Sequence, residues 1–170
     1  GRPESLDGNA VSQFCDDGRG NLWIATENGG LNHFDVRNRK FTNHTARSHN
    51  NLHALCMDGD DLLIGTFSQG LDLMNLRTGK VVNYRNVPGD SASLCNDYVY
   101  AIFRASDGTL YVGTMSGMCT FDKRRGRFSR VKITEGRFIY DIAEDTGGNI
   151  WVASKVSGIY PVSYTHLTLP

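Results

Sequence analysis

At 170 residues the chain can enclose one sizeable core, and 39% hydrophobic with 10% aromatic residues is a globular composition. Eighteen Lys and Arg balance eighteen Asp and Glu, which leaves no electrostatic footprint for nucleic acid or an anionic membrane. No apolar run approaches the roughly 18 residues that a bilayer span needs, and the opening GRPESLDGN has neither an initiator Met nor a signal-peptide pattern, so the expectation is a soluble part or a piece cut from something longer.

The first apolar stretch, VSQFC (11–15), has strand composition, and the following DDGRG (16–20) is Asp/Gly turn chemistry that permits positive φ in a hairpin. A second strand, NLWIAT (21–26), runs into the turn ENGG ending at Gly30; LNHFD (31–35) predicts a third strand and KFTNH (40–44) a fourth. The order then returns. First strands LHALC (52–56), VYAIF (99–103) and IYDIA (139–143) precede second strands DLLIGT (61–66), TLYVGT (109–114) and NIWVAS (149–154), whose turns end at Gly70, Gly117 and Gly158. Thr26, Thr66, Thr114 and Ser154 are spaced 40, 48 and 40 residues apart. Third strands LDLMN (71–75) and MCTFD (118–122) and fourth strands KVVNY (80–84) and RFSRV (127–131) complete two more copies, while the last copy reaches only IY (159–160).

The second strand is apolar on both faces in every copy (LWIA, LLIG, LYVG, IWVA), so each sheet needs a neighbour on either side. Four-stranded antiparallel meanders of about 40 to 45 residues stacked face to face are the blades of an all-β propeller. A β-sandwich gives no reason for the full-length repeat. The expected division is blade 1 over 1–48, blade 2 with a long link over 49–94, blade 3 over 95–135 and an incomplete blade 4 over 136–161. Such a set closes a small four-bladed ring or forms an open arc of a larger one; no blade is completed by pairing the two ends, which favours the arc. Pro161 falls where a paired strand needs its N–H, so the pattern is expected to fail there and 162–170 to be a non-native tail.

Several residues carry chemistry worth placing. Cys15, Cys56, Cys95 and Cys119 lack C-x-x-C spacing; Cys15 and Cys56 share a first-strand position and read as small core residues. His33, His44, His49 and His53 gather in sequence, yet the helical spacing of His49 and His53 means little in a loop entering a strand, and no metal is assigned. KRRGR (123–127) reads as an exposed basic turn. Asp141 stands on the innermost strand where other copies have Gln13, Ala54 and Ala101; a carboxylate buried there would bond across blades or meet a ligand hydroxyl. In a propeller the turns after the second strands converge on one face, supplying Glu27, Asn28, Phe67, Ser68, Gln69, Met115, Ser116 and Lys155. Among these, Asn28, Phe67, Gln69 and Lys155 form the candidate recognition surface, with Phe67 stacking on a sugar ring and Asn28 and Gln69 bonding hydroxyls. Paired carboxylates for hydrolysis are missing from that set.

DDGRGNLWIATENGGLNHFD (16–35) resembles the two-component regulator propeller repeat, in which a D-x-x-G-N-L-W-I-G-T core leads into a G-G-L-N-x-[YF]-D strand; the resemblance extends over residues 7–160. SLDGNAV (5–11) echoes SLCNDYV (93–99), within a link similar to those between blades of that family. The resemblance implies a periplasmic sensor region of a Bacteroides-type hybrid two-component histidine kinase. Its partners would be the rest of the propeller, an immunoglobulin-like Y_Y_Y domain, a second subunit of a parent homodimer, and oligosaccharides as signal. Kinase activity would belong to the parent, leaving this fragment non-catalytic and without cofactor. The alternatives are a propeller carbohydrate-active enzyme, lyase or hydrolase, and a purely structural interaction propeller.

Overall fold

The computed structural model describes residues 5–44 and 48–162, and these are all β apart from one short 3-10 turn, Lys132–Thr134. β1 (Val11–Asp16), β2 (Leu22–Thr26), β3 (Gly30–Asp35) and β4 (Lys40–His44) pair in that order as an antiparallel meander. The meander recurs as β5 (Leu52–Asp58), β6 (Asp61–Thr66), β7 (Leu71–Asn75) and β8 (Val81–Tyr84), and again as β9 (Val99–Arg104), β10 (Leu110–Thr114), β11 (Gly117–Asp122) and β12 (Arg127–Arg130). The fourth sheet differs from the expected four strands: among the described residues it has three, β13 (Ile139–Glu144), β14 (Ile150–Ser154) and β15 (Gly158–Val162).

The expected failure at Pro161 does not occur. β15 runs through it, with Trp151 facing Pro161 and Ile150 facing Val162, as Tyr111 faces Thr120 and Leu110 faces Phe121 in the third sheet. The Met118 carbonyl accepts from Val131 on the fourth-strand side, and ladder alternation turns Thr120, two residues on, the same way. Pro161 therefore points its nitrogen away from β14, at the outer edge, where a missing N–H costs no bond. Val162, first residue of the expected non-native tail, is buried in the core; 163–170 lie outside the described residues.

Each repeated residue has a local task. The Asp17 carboxylate accepts from the backbone N–H groups of Arg19 and Asn21 and from the Asn21 amide, closing the first hairpin; Asp145 does the same for Gly147 and Asn149 and also takes the Trp151 indole N–H at 2.8 Å. At the second turn the buried hydroxyls of Thr26, Thr66 and Thr114 donate to the carbonyls of Gly30, Gly70 and Gly117 at 3.0, 2.8 and 2.7 Å. The N–H groups of these same glycines donate to Asn50, Asp97 and Arg137 in the approach to the next blade.

Three cores fill the gaps between successive sheets. Trp23, Ala25 and Leu31 of the first sheet pack on Leu55, Leu62 and Ile64 of the second. Ala54, Leu63 and Leu71 meet Val99, Ile102 and Val112, and Tyr111 and Met118 meet Ile139, Ile142 and Val152. Each Val, Leu, Ile or Met among them contributes roughly 1.5–3 kcal/mol when removed from water. The blades approach closely: a methyl on Gly65 would sit 2.7 Å from Val99 Cγ1, which explains the small residue at that step of the second strand.

The basic turn KRRGR divides. Arg124 and Arg125 are exposed, but Lys123 crosses to the second blade, where Nζ lies 2.6 Å from an Asp58 oxygen and 2.7 Å from Asp61, with Arg104 on the other oxygen of Asp58 at 2.7 Å. The expected exposed turn is thus partly an inter-blade clamp.

Candidate functional site at the channel mouth

The innermost strand of every blade carries the same irregularity. Register shifts fall between Val11 and Gln13, between Leu52 and Ala54 and between Ile139 and Asp141, and at Thr114 in β10, where pairing passes from Ala101 to Val99. One residue is thereby left over in each first strand: Ser12, His53, Tyr100 and Tyr140. A bulge of this kind re-aims its side chain out of the pleat. All four line one cavity of about 220 Å³ together with Gln13 and Asp141.

The rings form a continuous run across the blades. His53 lies 4.6 Å from Tyr100 between centroids, Tyr100 lies 4.5 Å from Phe138, and Phe138 contacts Tyr140 edge-on at 6.3 Å. Phe67 joins from its turn, 5.5 Å from His53 and 5.3 Å from Tyr98, and the Lys155 ammonium sits 5.6 Å from the Phe138 ring. Backbone bonds hold these turns over the strand entrances: the N–H groups of Glu27, Phe67, Met115 and Lys155 donate to the carbonyls of Ala10, Asn51, Tyr98 and Phe138.

Electrostatically the site is mild. Burial pushes the His53 imidazole below its ordinary value, Glu27 pulling the other way, so the ring is neutral at pH 7. Its Nδ1 is buried and has no hydrogen-bond partner among the described groups. Burial likewise raises the Tyr100 phenol, which stays protonated and able to donate. Asp141 corrects its expectation: it is exposed, and Oδ1 accepts the neighbouring Ile142 N–H at 2.9 Å. The inter-blade bond expected of it is made at the same repeat position of the first blade by Gln13, whose Oε1 accepts the Leu55 N–H at 2.8 Å.

Of the residues singled out in the sequence, Phe67 and Lys155 reach the ring run. Gln69 is held outward, its Oε1 accepting from Arg85 at 2.6 Å, and Asn28 sits exposed at φ 64 in the first blade's turn. The histidines separate into two groups, His33 and His44 against Trp23, and His49 and His53 against Phe67. Tyr98, Tyr100, Phe138 and Tyr140 were not singled out. The signal was present as the second residue of each first strand, S, H, Y and Y, but its direction depends on the bulge. All four cysteines are free thiols: Cys95 lies against the core that contains Cys119, while Cys15 and Cys56 are partly buried, which pushes them up to about 12 and about 11.

Residues 5–28 and 93–116 match the family model described as two component regulator propeller, each stretch running from a link through the first two strands of a blade. Over 90 residues the chain is 30% identical to histidine kinase P4 of Formosa agariphila, covering 47% of this chain and 7% of that protein. The extracellular domain of a hybrid two component system from B. thetaiotaomicron superposes with a TM-score of 0.82 at 22% identity, over 97% of this chain and 22% of that one. A virginiamycin B lyase from Staphylococcus aureus superposes with a TM-score of 0.72 at 12% identity, over 95% of this chain and 54% of that one. The structural likenesses show the propeller fold, which carries unlike functions.

Proposed function

We propose that this chain, which carries two-component regulator propeller repeats, is part of the extracytoplasmic sensor of a hybrid two-component histidine kinase, and that its channel mouth binds an oligosaccharide. The observation that carries this reading is the bulge in every first strand, which turns Ser12, His53, Tyr100 and Tyr140 into one cavity. Neutral aromatic faces stack on sugar rings, and the surrounding polar groups, Gln13, the Tyr100 hydroxyl and the Asp141 carboxylate, suit hydroxyl groups. Phe67 and Lys155 extend the surface at one side, with Asn28 and Gln69 at its margin.

The fragment acts by binding, and the phosphotransfer belongs to the parent. His53 supports a binding role, because its neighbours are the rings of Phe67 and Tyr100 rather than an acid hydrogen-bonded to it. In the parent, the rest of the propeller, a Y_Y_Y-like domain and a second subunit receive the signal, and the ligand acts by binding one geometry of the pair better than the other. Calorimetry of the chain against cello-, xylo- and malto-oligosaccharides tests the reading. A saturable exotherm with one series, weakened about tenfold by Tyr100→Ala, is expected, corresponding to about 1.4 kcal/mol of stacking. Equal heats for wild type and variant, or none with any series, would contradict it.

A further inference from the structure

Cys95 and Cys119 meet beside an arginine that has no counter-charge. Cys119, in β11, is fully buried, and Cys95, in the link between the second and third blades, is half-buried against the same core. The two thiols interact side chain to side chain. Arg130 stands opposite Cys119 in the β11–β12 ladder and reaches over the link, its Nη2 donating to the Leu94 carbonyl at 3.4 Å. Its Nη1 is buried without a hydrogen-bond partner, and among the described residues no carboxylate pairs with it. A guanidinium left unpaired in partial burial favours an anion beside it, and the ionisable group within its reach is the Cys95 thiol. Asn86 fixes the backbone there, its Nδ2 donating to the Leu94 and Cys95 carbonyls at 2.7 and 3.2 Å. Cys15 and Cys56 have no such setting. Burial holds both thiols up, and the Arg104 near Cys56 is already taken at 2.7 Å by Asp58, whose own charge opposes a thiolate.

We propose that Cys95 and Cys119 are a redox couple: Cys95, with Arg130 beside it, attacks a small-molecule disulfide, and Cys119 resolves the adduct into a bond between the link and β11. In the first exchange the Cys95 thiolate bonds to one sulfur of the disulfide RSSR and its S–S bond breaks, one RS⁻ leaving with the proton that Cys95 gave up. In the second, the Cys119 thiolate bonds to the Cys95 sulfur and expels the other RS⁻, which takes the proton from Cys119. Two protein thiols are oxidised and one RSSR is reduced to two RSH. Access sets the order, because Cys119 is closed to an external reagent while Cys95 is open to one and adjacent to Cys119. The charges agree with it: the Cys119 side chain and Arg130 hold Cys95 below its ordinary value against the burial that opposes ionisation, and burial pushes Cys119 well above its own. The couple stands independently of the ligand reading.

Peptide mapping of the reduced chain after treatment with oxidised glutathione tests it. Trypsin separates the two cysteines, placing Cys95 in 86–104 and Cys119 in 105–123. The expected product is these two peptides joined by a disulfide, the whole chain lighter by two hydrogens. Cys119→Ala should stop with glutathione on Cys95, and Cys95→Ser should yield neither product. Arg130→Gln should slow alkylation of Cys95 by iodoacetamide at pH 7 roughly threefold or more, since the lost thiolate is only partly offset by higher nucleophilicity. The wild-type map needs no variant to fold. Glutathione remaining on wild-type Cys95, an unreacted Cys95, a Cys15–Cys56 bridge formed in preference, or alkylation that Arg130→Gln leaves unchanged would overturn the proposal.

Discussion

Gln13 and Leu55 are joined across the first blade interface, the Gln13 Oε1 accepting the Leu55 backbone N–H at 2.8 Å. The bond fastens the innermost strand of one sheet to that of the next, at the wall of the channel. Replacing Gln13 by Leu leaves that N–H without its acceptor and should cost roughly 1–3 kcal/mol, whereas Gln13→Glu keeps an acceptor and should cost less. Urea unfolding of the two variants checks the difference.

The repeated aromatic residue of the second strand works between blades rather than within one. Trp23→Ala should lose about 3–5 kcal/mol, because the indole is buried against the second sheet. Trp151→Ala at the equivalent step should lose far less in the monomer, since that face is exposed. Thermal unfolding at low protein concentration separates the two.

Lys123 ties the third blade to Asp58 and Asp61 of the second. Partial burial opposes ionisation of both carboxyls, and the hydrogen bonds from Lys123 outweigh it, holding each below its ordinary value. A depressed carboxyl stabilises the fold above its unfolded value of about 4 and loses that contribution as pH falls through the folded value. Lys123→Met should therefore destabilise at pH 7 by roughly 1–2 kcal/mol. Its deficit relative to wild type should shrink as pH drops below about 4, read from stability curves of both proteins.

His53 behaves with the same sign. Its folded value is lowered by burial, so the neutral ring's contribution is complete above about 6.5 and is lost as pH falls through the folded value. Titration of the His53 ring by NMR should give a midpoint below 6.5, and His53→Gln should flatten stability over that window.

At Gly70 the chain takes φ 78, and a methyl there would meet the Tyr84 carbonyl oxygen. Gly70→Ala should cost more than about 2 kcal/mol, combining left-handed strain with that collision. Gly18, also at positive φ but with open space around it, should tolerate Ala with the strain alone, so paired denaturation curves distinguish the two causes.

Much of the fold was legible because each blade repeats a physical necessity. Apolar residues on both faces of the second strand demand neighbours, and the Asp/Gly turns specify hairpins. Pro161 misled because its direction in the ladder, not its presence, decides whether an N–H is lost. Lys123 misled because a turn residue can reach across to another blade's Asp58 and Asp61. The site was legible only in part. Phe67 and Lys155 follow from turn convergence, but Tyr100 and Tyr140 occupy strand positions whose alternation is broken by a bulge, and period-two reading cannot say which way a bulged side chain faces. Asp141 was expected to be buried because it stands on the innermost strand, at the step of Gln13, Ala54 and Ala101; among the described residues no sheet packs on that side of it, and it is exposed.

The most direct measurement is NMR of the side-chain rings during titration with the oligosaccharide series that gives heat in calorimetry. Resonances of His53, Tyr100 and Tyr140 should shift together and saturate with one dissociation constant, while Trp23, buried between blades, stays in place. Shifts confined to the outer turns around Arg124, or an unperturbed set of channel rings at saturation, would contradict binding at the channel mouth.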